Sequence, residues 1–396
     1  MLDDFRKKGD WVYVRDSKIL LSLLKENDTV TCDYHVSSWL HFSKSLPGYI
    51  IEINGRVITS DDILNVIHVI NYLTRKNIHN VMIHIKFVEV EIADKLVYII
   101  LEDLCYYFLC NSRCRLYVNF DKLKGNILTD GIKYSPLFKL PDKNTFTKFY
   151  SQDISLHHYR IMIPNDVPSS STLSILNQNT KNFFLHNGLK GEYCDRLSEV
   201  IVEIVGNACE HGGSDCALDI DVTDCYLKKD NMEDDYYGVN VTVVNYSSCL
   251  FHQLLKEKIS TSIHFDGRYE LVAQARENHQ KRWKDDTYTE NDFYMISSFQ
   301  HKISGSRRKP MDVGGTGLTT LIKSLEDYSD STRCYLLSGY RCLMFEANYL
   351  CYNDDGLIGF NESNDYINDV PDRKLLAPCS VFFPGSAYNL HFVVKI

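Results

Sequence analysis

The order in which strand-like and helix-like stretches follow one another changes part-way along the chain, and that change restricts the architecture more than any single motif. Over residues 1–130 the two kinds alternate. Tyr49 to Asn54 (YIIEIN) is β-rich and stops at Gly55. Ser60, followed by Asp61 and Asp62, offers a helix N-cap with acidic residues in the first turn, where they oppose the helix dipole. Ile63, Val66, Ile67, Ile70 and Leu73 then recur at helical spacing. Asn80 to Val88 reads as a buried strand, Ala93 to Leu109 as a second helix and Cys114 to Phe120 as a third strand. Alternation of this kind predicts a small α/β layer domain over 1–130.

A polar, turn-rich region follows, with the linker placed at 131–150. The second unit, 151–396, has a different order. A long helix from Glu192 to His211 precedes strands at Ala217–Val222 and Gly238–Asn245, and then a long insert over 246–313. A short helix after Gly314 leads into β-rich stretches at Cys334–Ser338, Cys342–Tyr349, Ser380–Phe383 and Tyr388–Val394. These late strands have no helices between them, which favours a mixed, mostly antiparallel sheet with helices on one face over a doubly wound parallel one. The expected fold is therefore a two-domain α/β protein: a small α/β domain, then a larger α/β sandwich.

Composition narrows the function class. The 396 residues are 44% hydrophobic and 24% charged, which excludes a disordered tail, a collagen-like repeat and a small disulfide scaffold. With 43 Lys and Arg against 52 Asp and Glu the net charge is −9, which argues against broad binding to nucleic acid or to an anionic membrane. The longest apolar runs, such as Leu96 to Leu101, are too short to span a bilayer, and the first ten residues (MLDDFRKKGD) lack the apolar core of a secretory signal. The thirteen cysteines lie singly, without a C-x-x-C, and read as reduced, buried thiols of a cytoplasmic protein. A zinc site at Cys110 and Cys114 would need ligands from elsewhere.

Chemistry concentrates on the helix near residue 200. Tyr193, Leu197, Val200, Ile201, Ile204 and Ala208 form one apolar stripe, and Glu199, Glu203, Asn207 and Glu210 fall on the opposite side. Taken alone, that is an amphipathic helix with a solvated acidic face. The string from Glu203 to Gly212, E-x-x-x-N-A-x-x-H-G, resembles the N-box of the GHKL superfamily of ATPases and kinases, and is nearest to the anti-sigma-factor type of serine kinase. The resemblance implies a Bergerat fold, with Asn207 as ligand of a Mg²⁺ that bridges the phosphates of ATP, Glu203 as general base and His211 at the nucleotide. Residues four apart share one helix face, so a base and a metal ligand can address the same phosphate.

Three further stretches follow in the superfamily's order. Asp312 to Leu318 (DVGGTGL) resembles the G2 box, which implies that Gly314, Gly315, Thr316, Gly317 and Leu318 cradle phosphates at the start of a helix. Gly238 to Asn245 has the position and strand character of the G1 segment, but where the family reads Asp-x-Gly this chain reads Asn245-Tyr246-Ser247. Asn245 can accept from an adenine amino group without charge assistance, and turning its amide over exchanges acceptor for donor. Pro384 to Leu390 resembles the closing G-T-x-F strand, in which a hydroxyl, here Ser386, supports the base.

The insert at 246–313 is rich in cations and has the position of the superfamily's ATP lid; the resemblance implies that one cation just before the glycines, Arg307 or Arg308, meets a terminal phosphate when the lid closes. The amino-terminal unit resembles a STAS domain in element order, but the phosphoacceptor Asp-Ser is absent from Phe87 to Asp94 (FVEVEIAD). His157 and His158 are phosphoacceptors by position for a histidine-kinase reading. The resulting expectation is a regulatory switch: a Mg²⁺- and ATP-binding ATPase or protein kinase that acts with a protein partner or substrate. No membrane or nucleic-acid partner is expected, and a homodimer is left open. The alternative is a non-catalytic nucleotide sensor that gates a partner through lid closure.

Overall fold

In the computed structural model the described residues are 17–28, 40–43, 48–55, 57–92, 94–121, 129–139, 143–165, 170–228, 231–262, 267–283, 287–304, 317–329 and 334–396. They form an α/β protein with mixed sheets, in two compact units. The first comprises residues 1–163 with 217–221, and the second residues 164–216 with 222–396.

In the first unit, β1 (Leu40–Ser43), β2 (Gly48–Asn54), β4 (Met82–Val88) and β6 (Arg115–Asp121) form a sheet of order β1-β2-β4-β6, and β3 (Val57–Ile58) pairs with β5 (Glu91–Ile92). β2, β4 and β6 run parallel, with Ile51 opposite Ile85 and Phe87 opposite Phe120, and β1 is antiparallel at the edge. The parallel run needs crossover helices, supplied by α1 (Ser60–Arg75) and α2 (Lys95–Asn111). The cap of α1 lies one residue before the expected Ser60: the Thr59 N–H donates to the Asp62 carboxylate at 2.9 Å, while Ser60 opens the helix. Val66, Ile67, Ile70 and Leu73 of α1 are buried, as their spacing required. The stretch read as a linker is instead structured within this unit: α3 (Lys143–Ser151) buries Phe146 and Tyr150, and Tyr150 stacks on Tyr106 at 4.1 Å. A hairpin of β7 (Gln152–Ile154) and β8 (His158–Ile163) ends it.

The core of this unit holds charges. Lys95, at 1% exposure, has its Nζ 2.5 Å from both Asp219 and Asp221, on residues 217–221 of the strand β9 (Cys216–Lys228). Arg160 of β8 binds Glu102 at 2.7 Å and Asp219, and His158 lies between Asp153 at 2.9 Å and Asp219 at 3.0 Å. His158 is thus buried and doubly bonded, which removes it as an accessible phosphoacceptor. Stripping one partner from such a network leaves a buried charge uncompensated, at a cost of about 3–5 kcal/mol.

In the second unit α4 (Ser170–His186), where no helix was expected, packs on α5 (Gly191–Gly212). The sheet here has the order β11-β12-β10-β9, with β10 at Asn231–Tyr246, β11 at Tyr335–Met344 and β12 at Leu376–Lys395. β12 is antiparallel to β10 and β11, in accord with the expected sheet type. It is one strand of 20 residues, although Pro384-Gly385 reads as a turn. Gly385 has φ 93°, and a Cβ there would collide with the Asn245 carbonyl and lie 2.7 Å from the Ser247 nitrogen. The glycine therefore permits close approach inside a strand. The insert contains α6 (Gln253–Thr261), α7 (Arg268–His279) and α8 (Glu290–Ser297), and α9 (Gly317–Tyr328) follows it. Among the described residues no helix is long and apolar enough to cross a membrane.

The charge network makes the first unit pH-sensitive. Burial, only partly offset by Arg160, pushes the Glu102 carboxyl up to about 7, so the folded unit keeps a proton that the unfolded chain releases near 4.5. Burial lowers His158, but the Asp219 charge and its hydrogen bonds raise it above 6.5 overall, so its stabilisation is full below 6.5 and lost as pH rises through the folded value. Both groups bind protons more tightly when folded, so stability falls as pH rises. Asp219 works oppositely: burial raises it, but Arg160, Lys95 and His158 hold it well below 3.8, and its contribution is lost only in acid. Hydrogen-exchange protection of α2, corrected for intrinsic rate, should therefore decline from about pH 5 to about pH 8. Glu102→Gln should flatten that decline; a slope the substitution leaves untouched would exclude Glu102 as its source.

Candidate functional site

A cleft of about 800 Å³, its open mouth included, lies within the second unit. α5 supplies Glu203, Asn207, Ala208, His211 and Gly212; β10 supplies Asn245; β12 supplies Ser386 and Tyr388; α9 supplies Leu318. The facing side is Cys249, Leu250, Phe251, Leu254, Leu255, Ser298, Ile303 and Ser304. Six of the expected positions, Glu203, Asn207, His211, Asn245, Leu318 and Ser386, thus come together although they lie far apart in sequence. Gly317 is the first residue of α9, and Gly314, Gly315 and Thr316 lie outside the described residues, as do Arg307 and Arg308.

α5 divides its polar side. Leu197, Val200, Ile201, Ile204 and Ala208 are buried, whereas Tyr193 is half-exposed against the ring of Tyr328. Glu199 and Glu210 are exposed, but Glu203 and Asn207 are half-buried in the cleft. Asn207 Nδ2 donates to Glu203 Oε1 at 3.2 Å, which leaves Asn207 Oδ1 as an acceptor beside the carboxylate. Two oxygen donors of this type suit a hard divalent cation such as Mg²⁺, which takes few protein ligands and completes its shell with water and phosphate.

The far end of the cleft is built around Asn245, which is 1% exposed. Its Nδ2 donates to the Ser214 carbonyl at 2.9 Å, to Ser214 Oγ at 2.9 Å and to the Asp215 carbonyl at 3.1 Å. Turning the amide over would aim Oδ1 at two carbonyl oxygens, so the exchange of donor for acceptor expected from sequence is blocked here. Oδ1 faces Gly212, where a Cβ would collide with the amide. α5 ends at Gly213, whose φ of 61° is left-handed. Ser247 Oγ donates to the Gly212 carbonyl at 2.5 Å, and Ser386 stands opposite Asn245 in the β10–β12 register.

The facing wall is held by the insert's own charges. Lys258 donates to the Tyr269 hydroxyl at 3.0 Å and to the Ser304 carbonyl at 3.1 Å, while Lys256 and Arg276 share Glu290 at 2.7 and 3.1 Å. These three cations anchor the helices of the insert. Burial lowers His252 of this segment to about 4 and keeps it neutral. The cleft therefore combines apolar residues, a fixed amide acceptor and a carboxylate–amide pair. Sequence reasoning missed Phe251, Leu254 and Leu255, and it included Gly212 and Tyr388 within motifs without giving either a role. Tyr388 carried a further signal, two residues from Ser386 on one strand face.

If the clamp fixes this end of the cleft, Asn245→Asp should set a carboxylate against the Ser214 and Asp215 carbonyls and cost about 1–3 kcal/mol. Hydrogen exchange over residues 205–247 should report that loss as lowered protection, and protection equal to wild type would remove Asn245 from this role. Compared with models of protein families, with curated proteins and with solved structures, the chain shows no match.

Proposed function

We propose that the second unit binds Mg²⁺ and ATP in this cleft as a GHKL-type domain and works as a regulatory ATPase or protein kinase. The observation that carries this reading is the meeting of Glu203, Asn207, Asn245, Leu318 and Ser386 in one cleft, from four stretches in the order the superfamily resemblance requires. A bound Mg²⁺ would supply charge neutralisation at the phosphates, with Asn207 Oδ1 as its protein ligand. Glu203, its carboxylate oriented by the Asn207 amide, takes a proton from water or a protein hydroxyl. Asn245 offers only an acceptor to the base, which suits the 6-amino group of adenine and repels the 6-oxo group of guanine. The departure from the family's aspartate has a physical reason in this reading: a carboxylate could not donate to the Ser214 and Asp215 carbonyls.

The first unit, with its β2-β4-β6 core and two crossover helices, fits the STAS-like partner-binding role expected from element order. The sensor alternative shares the binding step and differs only at Glu203.

Calorimetric titration of the full chain tests the binding step. Mg²⁺·ATP should bind at least about tenfold more tightly than Mg²⁺·GTP, and Asn207→Ala should weaken ATP by about tenfold or more. Equal affinity for the two nucleotides would exclude Asn245 from the base subsite, and an Asn207→Ala affinity equal to wild type would exclude that ligand.

Turnover is tested separately. Glu203→Gln should leave ATP affinity within about twofold while lowering hydrolysis or phosphotransfer by about 10² or more. A wild-type chain that binds ATP but never turns it over, with or without partners, would establish the sensor instead.

A further inference from the structure

Tyr388 lies in the middle of β12, paired on one side with Val243 of β10 and on the other with Leu336 of β11, so its backbone is held from both flanks. Its ring is 2% exposed and meets the edge of Phe251 at 6.3 Å and 85°. Alternation along the strand turns it to the same face as Ser386, and both border the cleft. The resembled strand motif, G-T-x-F, carries phenylalanine at this place, so the hydroxyl is what this chain adds.

Several buried phenols of its unit have a partner, although Tyr294 Oη, which does not border the cleft, has none among the described residues. Tyr269 donates to the Ser304 carbonyl, Tyr352 to the Phe299 carbonyl, Tyr366 pairs with Ser297 and Tyr288 with His279. Tyr388 has no hydrogen-bond partner among the described residues. Glu203 borders the same cleft, and no direct hydrogen bond joins the two groups; burial raises the Tyr388 pKa, and the Glu203 charge adds to that in the same direction. A buried hydroxyl without a protein partner, on the same cleft as a carboxylate, is a setting in which a bound water completes the hydrogen bonding.

We propose that Tyr388 and Glu203 hold a single water between them, the phenol donating to the water oxygen and the water donating to the carboxylate. The water then presents one hydrogen to the base while the phenol fixes where its oxygen lies, and the second carboxylate oxygen stays with Asn207. This rests on the reading of Glu203 as general base and deepens it. A site that orders a water against its base is arranged for hydrolysis, with the phenol controlling the position of the nucleophile rather than the binding of the nucleotide.

Crystal structures of the full chain and of Tyr388→Phe, free of nucleotide, test the bridge itself. A water within about 3.2 Å of both Tyr388 Oη and a Glu203 oxygen, lost in the Phe variant, is expected. An empty bridge position in the wild type, or a water that remains in the variant, overturns the proposal whether or not the protein binds ATP. Kinetics test its consequence: Tyr388→Phe should lower ATP hydrolysis about tenfold with Mg²⁺·ATP affinity within about twofold, and should lower it no further when added to Glu203→Gln. Unchanged hydrolysis, or weakened affinity at unchanged turnover, overturns it as well, the latter by assigning the hydroxyl to the nucleotide. Failure of the wild type to bind Mg²⁺·ATP would instead overturn the nucleotide reading and leave the crystallographic result to decide the bridge.

Discussion

One buried amide holds the second unit's cleft in shape. Asn245 sits at the end of β10, and its Nδ2 bonds the turn that leaves α5, at Ser214 and Asp215. The helix that carries Glu203 and Asn207 is thereby fixed to the strand pair that carries Ser386 and Tyr388. Neighbouring residues leave room for this. Gly212 and Gly385 lack the Cβ atoms that would collide with Asn245, and Ser247 ties the Gly212 carbonyl from the other side. An amide serves here because it can donate to two carbonyls and still present an acceptor; neither a carboxylate nor an alkyl group of that size can do both.

From that joint the cleft acquires two walls of different character. The floor belongs to paired strands, with Tyr388 held between β10 and β11 and Ser386 paired with Asn245 of β10. The opposite wall belongs to α6–α8, which hold one another through Lys258, Tyr269 and Ser304 and through Glu290 with its two cations. Spending these cations on internal contacts leaves the wall around Phe251 and Leu254 apolar, while α5 brings the polar pair Glu203 and Asn207 to the cleft.

The first unit uses charge differently. Lys95, Glu102, Arg160, Asp219 and Asp221 are buried together, and no carboxylate of the cluster lacks a cation. Gly131 belongs to the same arrangement, since a Cβ there would lie 2.6 Å from Asp221 and 2.8 Å from the Tyr98 hydroxyl. Hydrophobic packing alone would tolerate sliding of α2 along its neighbours; an ion network with directional bonds does not. The same network makes the unit answer to pH.

Local regularities were legible in the sequence. The spacing of Ile63, Val66, Ile67 and Ile70, the β-rich runs at 49–54 and 80–88, and the stripe on α5 each correspond to an element, because backbone periodicity is a property of neighbouring residues. The late strands without intervening helices likewise announced an antiparallel sheet, and the string from Glu203 to Gly212 singled out the helix that borders the cleft. Boundaries and partners were less legible. Thr59 rather than Ser60 caps α1, α4 has a weak apolar stripe and was not foreseen, and Pro384-Gly385 runs through a strand because of what approaches it from β10. What Lys95, Arg160 and Lys258 do, and which way the Asn245 amide faces, depends on groups between 11 and 126 residues away. Sequence determines which residues can form a helix face or a strand face; only the tertiary structure decides which polar atoms meet, because a buried charge or amide takes its role from the partner that replaces its water.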